Sequence, residues 1–160
     1  VSEDSERFGQ IVLPALKYTD YCIMNEFEAG RVTGYTIRTP EGLDKGALRS
    51  AMEVLLEAGV RERVLVHYPE GGCALSRDHE WAQQGSVILP EGYIKGAAGA
   101  GDAFTAGVLL GWHEGQSVQE QLQLGVCAAA ANLSDETCTG GLRSAAECLG
   151  LGAQYGFRPV

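Results

Sequence analysis

Tyr21-Cys22-Ile23-Met24, the segment Leu43 to Ala58, and Val64-Leu65-Val66-His67-Tyr68 decide the fold class. The first and third are short apolar runs, suited to strands buried on both faces. Between them Leu43, Ala47, Leu48, Ala51, Met52, Leu55 and Leu56 recur at helical spacing, with Gly59 as a natural stop. A buried strand, a helix and a second buried strand make a parallel crossover unit, which predicts an α/β fold of three layers, α/β/α.

Outward from this unit the pattern continues. Phe8 to Lys17 is helical in period, with Pro14 at a kink. Pro69-Glu70-Gly71-Gly72 is a turn, Cys73 to Ser76 a returning strand, and Gly85 to Leu89 a further strand. Ala103 to His113, Ser117 to Leu133 and Ser144 to Leu149 read as helices, Ser117 capping the second.

Composition narrows the class. The chain has 160 residues, 45% of them hydrophobic, enough for one globular domain with its own core. Twelve Lys and Arg against 21 Asp and Glu give a net charge of −9. That balance argues against a broad nucleic-acid surface, though not against an anion site built from backbone N–H groups. No apolar run reaches the ~20 residues of a membrane span. The acidic opening Val1 to Glu6 does not read as a signal peptide. The five cysteines include no C-x-x-C pair, which predicts reduced packing residues in a cytoplasmic protein. His67, His79 and His113 are scattered and form no metal cluster.

Chemistry concentrates in Gly99-Ala100-Gly101-Asp102-Ala103-Phe104. Small residues there leave the backbone open to a ligand, and a helix entered at about Gly101 presents unpaired N–H groups to an anion. Neither a P-loop nor a dinucleotide fingerprint fits: no Gly-Lys-Ser/Thr follows, and there is no third glycine. A carboxylate in that first turn can take a proton from a hydroxyl beside the anion, the pairing that phosphoryl transfer to an alcohol requires. Taken alone, the same string reads as plain helix capping.

The chain as a whole resembles the ribokinase-like (PfkB) carbohydrate kinases. Gly99-Ala100-Gly101-Asp102-Ala103-Phe104-Thr105-Ala106-Gly107 is similar to their C-terminal signature. Thr19 to Ala29 is similar to their strand ending in N-x-x-E, here Asn25 and Glu28. The helix, strand and hairpin between the two also match. The resemblance covers residues 1–160 as the C-terminal portion of one kinase domain, without the N-terminal portion that carries most sugar contacts and the lid.

The resemblance implies ATP- and Mg²⁺-dependent phosphorylation of a sugar or similar small alcohol. Asp102 is then the general base, and the N–H groups of Gly99, Ala100, Gly101 and Asp102 form the anion hole. Asn25 and Glu28 order Mg²⁺ and its waters, whereas without the resemblance the pair reads as a helix cap after a strand. Gly72, Cys127 and Asn132 fall on the nucleotide side. The chain departs from the pattern at three places. Gly96 and Ala97 stand where members commonly have Asp-Thr, which speaks against a potassium site. His67 to Gly72 replaces a T-x-G-x-x-G turn. Cys127 replaces an Asn before Ala128 to Ala131. Two other readings remain open here: a nucleoside or vitamin-precursor kinase, and a non-catalytic regulatory protein with the same fold. On its own this portion is expected to be inactive on sugars, and its sheet edge to self-associate as a homo-oligomer.

Overall fold

The computed structural model describes residues 5–160, with side chains from Arg7 onward. The rest of the acidic opening, Val1 to Asp4, lies outside the described residues. Among the described residues six strands and six α-helices follow one another. They are α1 (Ser5–Val12), β1 (Tyr21–Asn25), α2 (Glu26–Thr33), β2 (Arg38–Thr39), β3 (Gly42–Leu43), α3 (Lys45–Glu57), β4 (Arg63–Tyr68), β5 (Gly71–Ser76), β6 (Trp81–Gly85), α4 (Ala100–His113), α5 (Val118–Asn132) and α6 (Ala145–Tyr155). A 3₁₀ turn, Leu13–Tyr18, follows α1 with Pro14 in its first turn, where a missing N–H costs nothing.

The strands form a four-stranded sheet ordered β1-β4-β5-β6 and a separate β2-β3 ribbon. The chain divides into two compact units: Val1–Tyr68 with Ala74–Trp81, and Pro69–Cys73 with Ala82–Val160.

In the first unit β1 and β4 pair in parallel, from Tyr21 opposite Arg63 to Asn25 opposite His67. This is the crossover the sequence predicts. Helix α3 makes the crossover and packs on β4, burying Leu48, Ala51, Met52, Leu55 and Leu56. It begins later than the apolar period suggests. Gly42–Leu43 pairs with Arg38–Thr39, and Asp44 caps the helix by accepting the Ala47 N–H at 2.9 Å. Gly59 is required twice over: its φ is +122°, and a Cβ there would stand 2.7 Å from Lys17 Cα. Glu26 is almost wholly buried and pairs with Arg38 at 3.0 Å.

The second unit is built on α4, α5 and α6. A Cβ on Gly107 would meet Leu124 O at 2.8 Å, and one on Gly125 would meet Val108 Cγ2 at 2.8 Å. These two notches let α4 and α5 approach closely around Phe104 and Val108, both buried. The strand of this region ends where the sequence predicts it to begin. Trp81–Gly85 is extended, whereas Val87 makes only an isolated antiparallel bridge to Phe157. The partner of Val87 lies 70 positions away, so the apolar run Val87 to Leu89 looks more strand-like locally than it is. Helix α6 also runs to Tyr155, well past Leu149. Within that extension Gly152 is a packing site, its bare Cα facing the Phe157 ring and Cys127 Sγ.

Cys22, Cys73, Cys127 and Cys148 are buried and Cys138 is exposed; all five are free thiols. Among the described residues no helix is long and apolar enough to cross a membrane.

Candidate active site

Helix α4 starts differently from its neighbours. Its N-cap is Gly99, at φ 78° and ψ −1°, with no side chain to cap anything. Glycine is required there by that left-handed backbone and by the Cys138 carbonyl lying against its Cα. The Ala103 N–H donates to Gly99 O at 2.9 Å, closing the first helical turn. The Ala100 N–H donates to Ala97 O at 3.3 Å, a long contact. The N–H groups of Gly99, Gly101 and Asp102 find no acceptor among the described residues. Three donors at the positive end of a 14-residue helix are therefore open to an anion. Gly101 is not among the positive-φ glycines, so its backbone does not require glycine.

Asp102 is the third residue of α4, exposed, and without a hydrogen bond or ion pair among the described residues. Capping, the plain reading of this carboxylate, is absent. The other first-turn acids whose side chains are described are engaged. Glu28, Glu120 and Glu147 close capping boxes on Asn25, Ser117 and Ser144, and Glu26 holds Arg38. Asp102 is left free to accept a proton from a bound hydroxyl.

The loop leading into α4 is fastened to the end of α5. The Lys95 N–H donates to Leu133 O at 2.8 Å. Asn132, the last residue of α5, is fully buried and donates from Nδ2 to Ala98 O at 2.9 Å, while its Oδ1 has no partner. Sequence reasoning places Asn132 at a nucleotide; the structure shows its amide against the loop. The available signal was an amide side chain directly after the Ala128 to Ala131 run that ends the helix. Gly96 lies against the backbone of Glu136, where a Cβ would stand 3.0 Å from Glu136 Cα.

The other nucleotide-side residue of this unit's helices, Cys127, sits wholly inside the helix packing, against Gly152 of α6. Burial pushes its thiol up to about 11. Gly72 is buried within β5. Thus Gly99, Ala100, Gly101, Asp102 and Asn132 come together at one helix entry, and Cys127 faces α6 instead.

Asn25 and Glu28 belong to the first unit, at the C-terminal end of β1. Asn25 Oδ1 accepts the Glu28 N–H at 2.8 Å, and Glu28 Oε2 accepts the Asn25 N–H at 2.9 Å. The pair is thus a complete capping box for α2. Glu28 is nevertheless exposed, and its Oε1 stands outside the box. One free carboxylate oxygen fits Mg²⁺, which keeps most of its waters and takes few protein ligands. Among the described residues no group of three or more His, Cys, Asp or Glu is placed to enclose a metal.

A profile described as pfkB family carbohydrate kinase matches residues 3–145. The chain belongs to the pfkB family of carbohydrate kinases. Among solved structures, it is similar to the Arabidopsis thaliana ribokinase complexed with ribose and ATP. Identity is 26% and the TM-score 0.72, covering 85% of this chain and 41% of that one. A putative ribokinase II from E. coli, in complex with ATP and Mg²⁺, is 18% identical with a TM-score of 0.73, covering 96% and 46%. The adenosine kinase of Sinorhizobium meliloti is 22% identical with a TM-score of 0.69, covering 93% and 41%. No curated protein matches by sequence. The fold is ribokinase-like, and this pfkB chain spans less than half the length of these structures.

Proposed function

We propose that this pfkB chain carries the phosphoryl-transfer machinery of a kinase using ATP and Mg²⁺ to phosphorylate a hydroxyl of a sugar or similar small alcohol. The observation that carries the reading is the start of α4. There an uncommitted carboxylate, Asp102, stands beside the open N–H groups of Gly99, Gly101 and Asp102 itself. In the proposed reaction Asp102 accepts the proton of the acceptor hydroxyl. The hydroxyl oxygen bonds to the γ-phosphorus, the bond from that phosphorus to the β–γ bridging oxygen breaks, and ADP leaves. The open N–H groups donate to the equatorial oxygens of the transferring phosphoryl group, over which its charge is spread. Bound Mg²⁺ would neutralise phosphate charge, with Glu28 and Asn25 as the residues to hold its waters.

The residues that orient the acceptor are proposed to lie outside this chain, since it spans less than half the length of the kinases it resembles. Positioning supplies much of the rate in phosphoryl transfer, so these 160 residues alone are expected to turn over sugars poorly. A nucleoside as acceptor is the second reading, favoured by the likeness to an adenosine kinase. The free state of Asp102 argues against a purely regulatory protein. The test is ATP consumption by the complete protein that carries this chain, over a panel of sugars and nucleosides. Transfer to one class names the acceptor; no transfer to any hydroxyl overturns the reading.

A further inference from the structure

We infer that Asn132 is a positioning residue for phosphoryl transfer: it sets the peptide plane that aims the Gly99 N–H into the anion hole. This rests on the function proposed above and assigns it a residue with no place in that reaction scheme.

The geometry runs through one peptide unit. Ala98 O accepts from Asn132 Nδ2 at 2.9 Å. In a trans peptide the C=O and the following N–H point in opposite directions. No peptide bond described here is cis. Fixing the Ala98 carbonyl toward α5 therefore turns the Gly99 N–H away from α5, where it meets no acceptor among the described residues. Without that clamp the plane could rotate, because Gly99 is free of the Cβ restriction on its backbone. The Lys95 to Leu133 bond holds the loop three residues upstream and does not fix this plane.

A second observation separates positioning from simple packing. Asn132 is fully buried, yet its Oδ1 has no partner. A buried amide that satisfies only one of its two polar ends is a poor choice for stability. A leucine, with the same branching at Cγ, would remove the stranded oxygen. What the leucine cannot do is hold the Ala98 carbonyl.

The test compares Asn132→Leu and Asn132→Asp with the parent in the complete protein, reading kcat, the KM for acceptor and for ATP, and Tm. The Leu variant should lose roughly tenfold in kcat, a fraction of what a fully removed oxyanion donor costs. Its acceptor KM should stay within about twofold, and its Tm should hold or rise. The Asp variant gives a readout that packing alone would not move. Ionised, the introduced carboxylate would face the Ala98 carbonyl and repel it; protonated, it can donate to that carbonyl again. Burial raises that carboxyl's pKa, so the ratio of variant to parent kcat should climb as pH falls from about 8 to about 6.

A Leu variant within about twofold of parent kcat overturns the inference. So does an Asp variant whose ratio to the parent is flat with pH. If the Leu variant fails to fold, the Asp profile decides. Asp102→Asn serves as the separating control. Should it abolish turnover while both Asn132 variants run normally, this inference falls and the kinase reading stands. Should the parent itself transfer phosphate to no hydroxyl, both fall.

Discussion

Helices α4 and α5 pack against each other and each carries an acid at its third position, yet they use it in opposite ways. At α5, Glu120 turns back to accept from the Ser117 N–H at 2.8 Å and the Ser117 hydroxyl at 2.6 Å. At α4 the N-cap is Gly99, which offers no hydroxyl, and Asp102 stands unpaired in solvent. The same position is tied into a cap in one helix and left uncommitted in the other, and the residue three places earlier decides which. Helices α2 and α6 follow the α5 pattern. An acid at the third helical position is therefore uninformative until its N-cap is known.

The largest effect that contrast predicts is at Asp102. Asp102→Asn keeps size and polarity but cannot accept a proton from the hydroxyl. Steady-state kinetics of the complete protein should show kcat down by about 10²-fold or more, with Tm unchanged. Glu120→Ala should do the reverse: normal kcat with a lower Tm. Equal losses of kcat in both variants would erase the distinction.

Gly99→Ala comes next. It forces a side chain into a left-handed backbone and onto the Cys138 carbonyl. The strain is of order 1–3 kcal/mol, so the loop should shift and kcat fall roughly tenfold or more. Gly115→Ala is the matched control, at φ +71° with open space around it. It should lower Tm modestly and leave kcat alone.

Ser117→Ala and Ser144→Ala remove the hydroxyl of a capping box. Each should cost about 1 kcal/mol, read as a lower midpoint in urea, with no change in turnover.

Much of this contrast was visible in the residues and some was not. The parallel pair β1 and β4 and the helix between them were legible because long apolar periods report burial directly. Ser117 as a cap was legible from its residue type at the start of the helical stretch. Helix α2 was legible only as a cap at Asn25 and Glu28 and not in its extent, because its eight residues carry only Glu26, Ala29 and Val32 to the interior. The displacement of β6 and the bridge from Val87 to Phe157 depend on the chain's far end, which no local window contains. At the site, the glycines and Asp102 could be picked out, but the absence of a cap on Asp102 could not. The grip of Asn132 on Ala98 joins residues 34 apart. Its sign in the sequence, one amide beside an alanine run, fits several roles.

The smallest expected effect is in the pH dependence of stability, and it sharpens the contrast without touching catalysis. Hydrogen bonds from the Ser117 hydroxyl and N–H hold the Glu120 carboxyl below its usual value. Those from Ser144 do the same for Glu147. A carboxyl whose pKa is lower folded than unfolded binds fewer protons when folded. Its stabilisation is complete above the unfolded carboxylate pKa, about 4.3, and is lost as pH falls through the lower folded value. Both groups are exposed, so the effect is small and screened by salt. Urea midpoints measured from about pH 6 down to about pH 3 should therefore fall less steeply in a Glu120→Gln, Glu147→Gln double variant than in the parent. A slope unchanged by the double variant would mean that the Ser117 and Ser144 boxes hold their carboxylates no more tightly than water does, and would remove the contrast with α4 from that side.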